Sequence, residues 1–434
     1  MHSVKLYGAA FLVVCAAAVI TEAAHHEYER PSAEEALTFL RSTPPVARRV
    51  DGEPKLVQLW ADKTANDIRT MKELKPGGHI EGGAHFHLEA DNWRYFTAFE
   101  QLEIAELWEV DGANDIAFKH LGHMSQTLRS LSIEGVEISS AGLRTLKNLQ
   151  NLEILRIGWS KGVSDEALAP VAEMSSLKEL LISGNKEVTG SGFKHLEGHP
   201  NLRNLKASGT SITDDAFAHI GRIPNLEFLD LARSEGLTGS GLENLSRLPL
   251  TTLLLQRSPI QGDGLLKLAS LTTLETLNLG QCEALDAKVI RGLAALSKLK
   301  HLDLSGTSVD DDILAEFANF PALEHLSVNA CGSVTGTGAS ALSARSGLKI
   351  LNLSNCALTD DTLEALGDLS VEELIIGNNA ITVNGIRSLL NSSDRLKQLK
   401  KIHIWHIGVS DRRAPTDEEV APLKALRPNV EFAY

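Results

Sequence analysis

The most constraining feature of this sequence is an apolar residue that opens a short unit and recurs along most of the chain. It stands at Leu128, Leu152, Leu177, Leu202, Leu226, Leu250, Leu274, Leu299, Leu323, Leu348, Val371 and Leu399. The spacing is 24 or 25 residues through Leu348, then 23 and 28, and Phe99 opens an earlier, more degenerate unit. A period of this length is typical of a solenoid, in which each unit packs only against its neighbours.

Within each unit the apolar pattern changes from that of a strand to that of a helix. The first part reads L-x-x-L-x-L, as at Leu299, Leu302 and Leu304, and alternation of this kind predicts a short strand. The second part spaces apolar residues by three, as at Leu363 and Leu366, which predicts a helix. One unit cannot bury its apolar side alone, so the units are expected to stack, with parallel strands on a concave face and helices on a convex one.

Polar residues and glycines mark the start of the helical part. A hydroxyl residue precedes it at Ser139, Ser164, Thr189, Thr213, Thr238, Thr335, Thr359, Thr382 and Ser410. Such a residue can cap free backbone N–H groups. An aspartate follows directly at Asp165, Asp214, Asp360 and Asp411, where it suits the positive end of its own helix. Gly142, Gly192, Gly241, Gly264 and Gly385 recur nearby and predict a close approach of packed layers.

Three of the four cysteines occupy one position of the repeat. Cys282, Cys331 and Cys356 stand at the ninth residue of their units, where other units have Ser, Thr or Asn. This pattern predicts an interior ladder in which a polar or thiol side chain bonds to the backbone. A disulfide between Cys331 and Cys356, on successive units, is the alternative, and no Cys-x-x-Cys pattern indicates a metal site.

These motifs resemble the leucine-rich repeat superfamily, in its cysteine-containing subtype with the L-T-D-x-x-L helix segment, including secreted bacterial leucine-rich repeat proteins. The resemblance implies an α/β fold: a right-handed leucine-rich repeat solenoid of about 13 repeats of 24–25 residues. It covers residues 99–434, including a C-terminal capping repeat that begins near Leu399. It further implies a protein-binding scaffold without a catalytic centre or cofactor.

The N-terminus has the layout of a secretory signal peptide over residues 1–23. Lys5 precedes an uncharged apolar run from Leu6 to Ile20, and small residues follow at Ala23 and Ala24. An uncleaved anchor and lipidation at Cys15 are the alternatives. The pattern therefore predicts an exported protein, secreted or periplasmic, with no stable membrane insertion after cleavage.

Residues 24–98 are predicted to form an N-terminal cap with a degenerate repeat. Helices are expected over Ser32–Leu40 and Ala65–Leu74, and a strand over Lys55–Trp60. A histidine-rich stretch follows, comprising His79, Glu81, His85, His87 and Glu89. Its spacing matches no metal-site signature, so exposed cap residues are favoured, with a metal-dependent activity as the alternative.

Composition narrows the function further. The net charge is −14, which disfavours a nucleic-acid ligand. Aromatic residues make up only 5%, which argues against a platform of aromatic side chains that binds sugars or bases. No P-loop, dinucleotide fingerprint, H-E-x-x-H or G-x-S-x-G motif occurs. The favoured hypothesis is a non-enzymatic exported protein that binds another protein or extracellular ligand. The alternative, by resemblance to F-box relatives, is a substrate receptor or effector of a ubiquitin ligase.

The predicted binding surface is the concave face, to which strand residues between the buried leucines point. The candidate partner-binding residues are Phe228, Asp230, Leu254, Asn278, His301, Asp303, His325 and Asn352. Trp159 and Trp405 lie at strand ends, where exposure and packing both stay open.

Overall fold

The computed structural model describes residues 31–32, 34–36, 38, 73–74, 86–87, 90–98, 101–108, 110–111, 114–124, 126–282, 285–344, 347–391, 396–407 and 414–434. The predicted signal peptide lies outside these residues, and so does every member of the histidine-rich stretch except the backbone of His87. Phe99 is also outside, so the boundary between cap and repeats stays a prediction. The chain forms two compact units, Met1–Leu226 and Glu227–Tyr434, called here the first and second units.

The first unit contains six strands that lie side by side and parallel, and a separate parallel pair. The strands are β1 Glu73–Leu74, β2 Phe86–His87, β3 Ile104–Trp108, β4 Val110–Asp111, β5 Ser130–Glu134, β6 Ile154–Arg156, β7 Glu179–Leu181 and β8 Asn204–Lys206. The order is β1-β3-β5-β6-β7-β8, with β2 and β4 as the pair. The α-helices are Asp115–Leu121, Ser140–Thr145, Leu168–Ala172 and Ala216–Ile220. The 3₁₀ helices are Ala90–Ala98, Leu146–Asn148, Asp165–Ala167 and Ser191–Leu196.

The second unit repeats the same plan with parallel strands in chain order. They are β9 Phe228–Asp230, β10 Thr252–Leu254, β11 Thr276–Asn278, β12 His301–Asp303, β13 His325–Ser327, β14 Ile350–Asn352, β15 Glu373–Ile375, β16 Lys401–His403 and β17 Glu431–Ala433. The α-helices are Gly262–Lys267, Ala287–Leu293, Asp311–Glu316, Val383–Leu390 and Asp417–Leu426. The 3₁₀ helices are Leu242–Arg247, Leu268–Ser270, Phe317–Asn319, Thr337–Ala344 and Leu363–Leu366.

The repeat pattern explains this arrangement. In β6 and in β8 to β16 the middle residue is buried and its two neighbours are half exposed, as the alternation predicts. The buried leucines stand side by side: Leu253 pairs with Leu277, and Leu277 with Leu302. Each such side chain contributes about 1.5–3 kcal/mol when buried. The predicted stack of strands and short helices, a leucine-rich repeat solenoid, is confirmed in each unit.

Several predicted helices are 3₁₀ rather than α. Leu242–Arg247 and Leu363–Leu366 are of this kind. Their apolar residues are three apart, and a 3₁₀ helix has three residues per turn, so this spacing aligns them on the core side.

The aspartates at the helix starts connect one repeat to the next. The carboxylate of Asp165 accepts from the backbone N–H and the hydroxyl of Thr189, at 3.0 and 2.5 Å. The carboxylate of Asp360 likewise accepts from the backbone N–H and the hydroxyl of Thr382, at 2.7 and 2.6 Å. Asp165 lies in the first turn of its own helix, as predicted, and its carboxylate in addition bonds the next repeat, which the sequence pattern did not predict. A Cβ at Gly192 would lie 2.7 Å from the backbone oxygen of Asp165, so the close approach at this glycine is to the helix of the preceding repeat rather than between helix and strand layers.

Hydrogen bonding outweighs burial at Asp165. Burial alone would raise the pKa of this carboxyl, but the bonds from Thr189 and Ser191 hold it below its usual value. The predicted hydroxyl caps form at Ser139 and Thr382. Ser164 makes no such cap, and its hydroxyl donates to Glu166 instead.

The cysteines form the predicted ladder as free thiols. The thiols of Cys282, Cys331 and Cys356 donate to the carbonyls of Leu255, Leu304 and Val328, at 3.3, 3.4 and 3.2 Å. Burial raises the pKa of Cys282 to about 11 and that of Cys356 to about 12, so both thiols stay protonated donors.

The described part of the cap agrees with the prediction at one end and departs from it at the other. Ser32 and Glu35 exchange the bonds of a capping box, as expected at the start of a helix. Glu73 and Leu74, predicted as the end of a helix, instead form β1 and pair with Ile104 and Ala105 of β3. Pairing with a neighbouring strand overrides the local helical pattern there.

Candidate binding surface on the strand face

All eight predicted binding residues lie in the second unit, half exposed on the outward side of β9 to β14. We call this side the strand face. Strand register arranges it in two rows. The first row is Phe228, Thr252, Thr276, His301, His325 and Ile350. The second row is Asp230, Leu254, Asn278, Asp303, Ser327 and Asn352. The structure therefore brings the predicted residues onto one continuous surface within this unit.

Two histidines form the centre of the first row. The rings of His301 and His325 meet edge to face, with centroids 4.3 Å apart. The hydroxyl of Thr276 lies 3.5 Å from Nδ1 of His301 on the other side. Burial and the neighbouring His301 lower the pKa of His325. His325 therefore favours the neutral ring, and the two imidazoles together present an aromatic surface.

The polar residues of the second row have a structural task that the sequence analysis missed. In Asp230, Asn278, Asp303 and Asn352 a side-chain oxygen accepts the backbone N–H two residues further on. These bonds run from Ala232 to Asp230 at 3.0 Å, from Gly280 to Asn278 at 2.9 Å, from Ser305 to Asp303 at 2.9 Å, and from Ser354 to Asn352 at 3.0 Å. This is the Asx turn, and it ends β9, β11, β12 and β14. The recurrence of Asp or Asn as the last strand residue is the sequence signal for it.

Neighbouring turns are also bonded to each other. The amide of Asn278 donates to the carboxylate of Asp303 at 3.1 Å. The hydroxyl of Ser305 bonds Asp303, and it lies 2.9 Å from that of Ser327. Asp303 is thus committed to Ser305 and Asn278, while His301 contacts His325. The side chains of His301 and Asp303 therefore have different partners, although the two residues lie on one strand.

A further set of equivalent residues, which we call the turn column, was not among the predicted binding residues. The residue at the tight turn after each strand has a left-handed backbone in the second unit: Arg233, Arg257, Gln281, Gly306, Ala330, Asn355, Asn378 and His406. Glycine and asparagine suit this conformation, whereas arginine does not. A fixed offset of three residues beyond the second row is the signal that could have located this column.

In the first unit, the corresponding outward side of the strands carries a cluster of charged side chains instead. Glu179 lies between two cations, 2.9 Å from Arg156 and 3.1 Å from Lys206. Burial would raise the pKa of this carboxyl, but the bonds from Lys206 and Arg156 outweigh burial and lower it. Beside this cluster Trp159 is 63% exposed. Its ring covers Gly184, where a Cβ would lie 2.6 Å from the indole nitrogen.

Two searches of the described residues bear on metals and membranes. No group of three or more His, Cys, Asp or Glu side chains in that part of the chain could hold a metal ion. No helix there has the length and apolar character needed to cross a membrane.

Comparison with known families identifies the repeats. A Leucine Rich Repeat family model matches residues 347–369, and a second Leucine Rich repeat model matches residues 295–318. These two segments are similar to leucine-rich repeats, as the solenoid fold is. Both matched segments lie in the second unit, on repeats that contribute β12 and β14 to the strand face. Leucine-rich repeat arrays are typically binding scaffolds, and no curated protein matches this one closely enough to narrow that role.

Solved structures agree with the fold. A chain of the mouse RP105/MD-1 complex superposes with a TM-score of 0.54 at 20% identity, over 80% of this chain and 62% of that one. A chain of the TLR13–ssRNA13 complex gives a TM-score of 0.52 at 20% identity, over 73% of this chain and 48% of that one. An internalin from Listeria monocytogenes gives a TM-score of 0.47 at 21% identity, over 73% of this chain and 88% of that one. At these identities the first two likenesses concern the repeat fold alone.

Proposed function

We propose that this leucine-rich repeat protein is a non-enzymatic scaffold that binds a protein partner through the strand face of its second unit. The observation that carries the proposal is the row of half-exposed side chains running from Phe228 to His325 on consecutive strands. Apolar and aromatic anchors in the centre of a patch supply most of the energy of protein interfaces. Phe228, Leu254, His301 and His325 are of this kind.

The polar candidates have a different role in this proposal. Asp230, Asn278, Asp303 and Asn352 each hold a strand-ending turn with one side-chain oxygen. They keep the anchors in a rigid frame, and rigid frames lose less entropy on binding. A partner meets them as a rim of polar groups around the anchors.

A protein is the favoured ligand class. The RP105 chain, which shares the repeat fold, was crystallised in complex with MD-1, and this supports a protein-binding use of such a fold. The TLR13 chain was crystallised with single-stranded RNA. For the present chain a net charge of −14 opposes binding of a polyanion.

Export belongs to the same proposal. Residues 1–23 read as a cleaved signal peptide, so the partner would be met outside the cytoplasm. Mass spectrometry of the mature protein tests this point. A mature chain that begins near Ala24 supports a cleaved signal peptide, and a chain that retains Met1 or carries lipid on Cys15 contradicts cleavage at that point.

Site-directed cross-linking tests the proposed surface directly. A photoreactive amino acid replaces His325 on the strand face or, as the matched control, Lys288 on a helix. Both variants are irradiated in extract and surrounding medium from the native source. We expect a discrete cross-linked protein from position 325 that is absent from position 288.

A second variant removes the binding energy. Leu254→Glu places a charge in the apolar part of the strand face and is expected to abolish the cross-link at position 325. Lys288→Glu, on a helix, is expected to leave that cross-link intact. If the Leu254→Glu and Lys288→Glu variants gave equal cross-linking at position 325, with unchanged thermal unfolding, the proposed site would be overturned.

A further inference from the structure

Arg233 and Arg257 occupy equivalent positions on neighbouring repeats, at the edge of the strand face. Their strands pair in register, with Asp230 beside Leu254. The backbone N–H of Arg233 donates to the carbonyl of Gln256, and that of Arg257 donates to Gly280, at 2.9 and 2.8 Å. The two residues therefore stand one strand spacing apart, about 4.8 Å. Both side chains are exposed.

The backbone at both residues is unfavourable for a long side chain. The φ angles are +56° at Arg233 and +62° at Arg257. The equivalent turn residue is glycine at Gly306 and asparagine at Asn355 and Asn378, which accept this conformation readily. Gln281, Ala330 and His406 share the strained conformation. Arg233 and Arg257 differ from them because two cationic side chains stand at this position on successive repeats.

The electrostatics of the pair are unfavourable as well. Several other surface cations of the second unit are paired with a glutamate of a neighbouring repeat. Examples are Lys267 with Glu243, Arg291 with Glu316 and Lys300 with Glu275, at 3.0, 2.6 and 2.7 Å. Among the residues that the structure describes, neither Arg233 nor Arg257 has an ion-pair or hydrogen-bond partner for its guanidinium group. Two like charges side by side repel each other until an anion neutralises them.

We propose that Arg233 and Arg257 form an anion-recognition site that takes two carboxylates from an acidic segment of the protein partner. The planar guanidinium group binds a carboxylate through two parallel hydrogen bonds. In an extended segment, alternate side chains share one side and repeat about every 6.8 Å, so acids at alternate positions can reach both groups. The inference rests on the proposed function, since it names the chemistry of the partner at the same face.

An acidic protein segment fits better than a nucleic acid. Polynucleotide sites neutralise a run of phosphates with many cations, and their protein surface is strongly basic. Here the two arginines adjoin half-exposed Phe228 and Leu254, on a chain whose pI is near 5.6. Apolar contacts beside two ion pairs are typical of a protein interface.

The test uses the full chain and a fluorescein-labelled ten-residue peptide with glutamate at alternate positions. Fluorescence anisotropy is measured at about 50 mM and about 500 mM salt, because ion pairs at a surface are screened by salt. We expect binding at low salt that weakens at high salt, and no binding of the same peptide with glutamine in place of glutamate.

Two double variants separate recognition from folding. Arg233→Gly with Arg257→Gly removes both guanidinium groups and suits the left-handed backbone, so the protein should fold at least as well while its affinity falls about tenfold or more. Arg233→Lys with Arg257→Lys keeps the charge without the two-bond geometry and should retain part of the affinity. The control Lys288→Ala, an exposed cation on a helix, should change nothing.

Three results would overturn the inference: no binding of the peptide by the unaltered protein, unchanged affinity in the glycine double variant, or tighter binding of a ten-nucleotide single-stranded RNA than of the peptide. The cross-link at position 325 distinguishes this failure from failure of the proposed function. If Leu254→Glu abolishes that cross-link while the glycine double variant keeps it, only the arginine site is wrong.

Discussion

The strand faces of the two units use the same repeat positions for opposite purposes. In the first unit, Arg156, Glu179 and Lys206 form an internal charge cluster that satisfies itself. In the second unit His301 and Leu254 occupy outward positions, and the polar side chains Asn278 and Asp303 close turns. The comparison teaches that a repeat backbone leaves its outward positions free to vary. Stability and recognition can therefore be assigned to different stretches of one array.

We expect the largest effect on stability from a substitution that breaks the charge cluster of the first unit. Glu179→Ala leaves Arg156 and Lys206 side by side without a carboxylate, and should lower the free energy of unfolding by about 2–3 kcal/mol. Urea unfolding measures it. Thr276→Ala on the second unit is the matched control and should cost about 1 kcal/mol or less. Equal losses in the two variants would contradict the difference drawn between the faces.

A smaller effect is expected at the glycines of the turn column. Gly184 has φ +77°, and an added Cβ would lie 2.6 Å from the indole nitrogen of Trp159; Gly306 has φ +68°, and its Cβ would lie 2.9 Å from Cγ of Gln281. Alanine should cost about 1 kcal/mol at Gly306, where a flexible side chain can move, and about 2 kcal/mol at Gly184. Tryptophan emission should shift for Gly184→Ala only. A shift of similar size in both would show that the indole does not depend on that contact.

The Asx turns of the second unit should be sensitive to geometry rather than to charge. Asp303→Ala removes the acceptor for the N–H of Ser305 and should cost about 1 kcal/mol, whereas Asp303→Asn keeps an acceptor oxygen and should stay within about 0.5 kcal/mol. Thermal unfolding of both variants measures this. If Asp303→Asn were as damaging as Asp303→Ala, the carboxylate charge would be the important feature instead.

The smallest effect is a dependence of stability on pH through the histidine pair. The pKa of His325 is lowered from its ordinary 6.5 by burial and by His301. The unfolded chain therefore takes up a proton at this residue before the folded chain does. The stabilisation is complete above pH 6.5 and is lost as the pH falls through the folded pKa. His325→Gln should flatten this part of the stability profile, measured by urea unfolding between pH 7.5 and 5.5. An unchanged slope would assign the pH dependence to other groups.

Particular residues show how far sequence reasoning reaches. The leucine columns and the thiol ladder at Cys282, Cys331 and Cys356 were predictable, because a repeat forces equivalent residues into equivalent surroundings. The second role of Asp165 was not, since its bonding partner Thr189 belongs to the next repeat. Leu74 was assigned to a helix for a related reason: only the pairing of Glu73 and Leu74 with β3 reveals the strand.

The features of the candidate site likewise fall into those that the sequence predicted and those that only the structure shows. Alternation along each strand placed Phe228, Leu254, His301 and His325 on the outward side before any coordinates were considered. The turn-closing bonds of Asn278 and Asp303 depend on backbone geometry after the strand ends. The unpaired arginines emerge only when the ion pairs of their neighbours are known.

By itself, the sequence determined the repeat, its length and the buried columns, because each follows from periodic burial of apolar side chains along one chain. The tertiary structure decided which polar side chains are already occupied and which remain available to a partner. That distinction depends on distances between residues about 24 positions apart, and those distances exist only once the repeats have stacked.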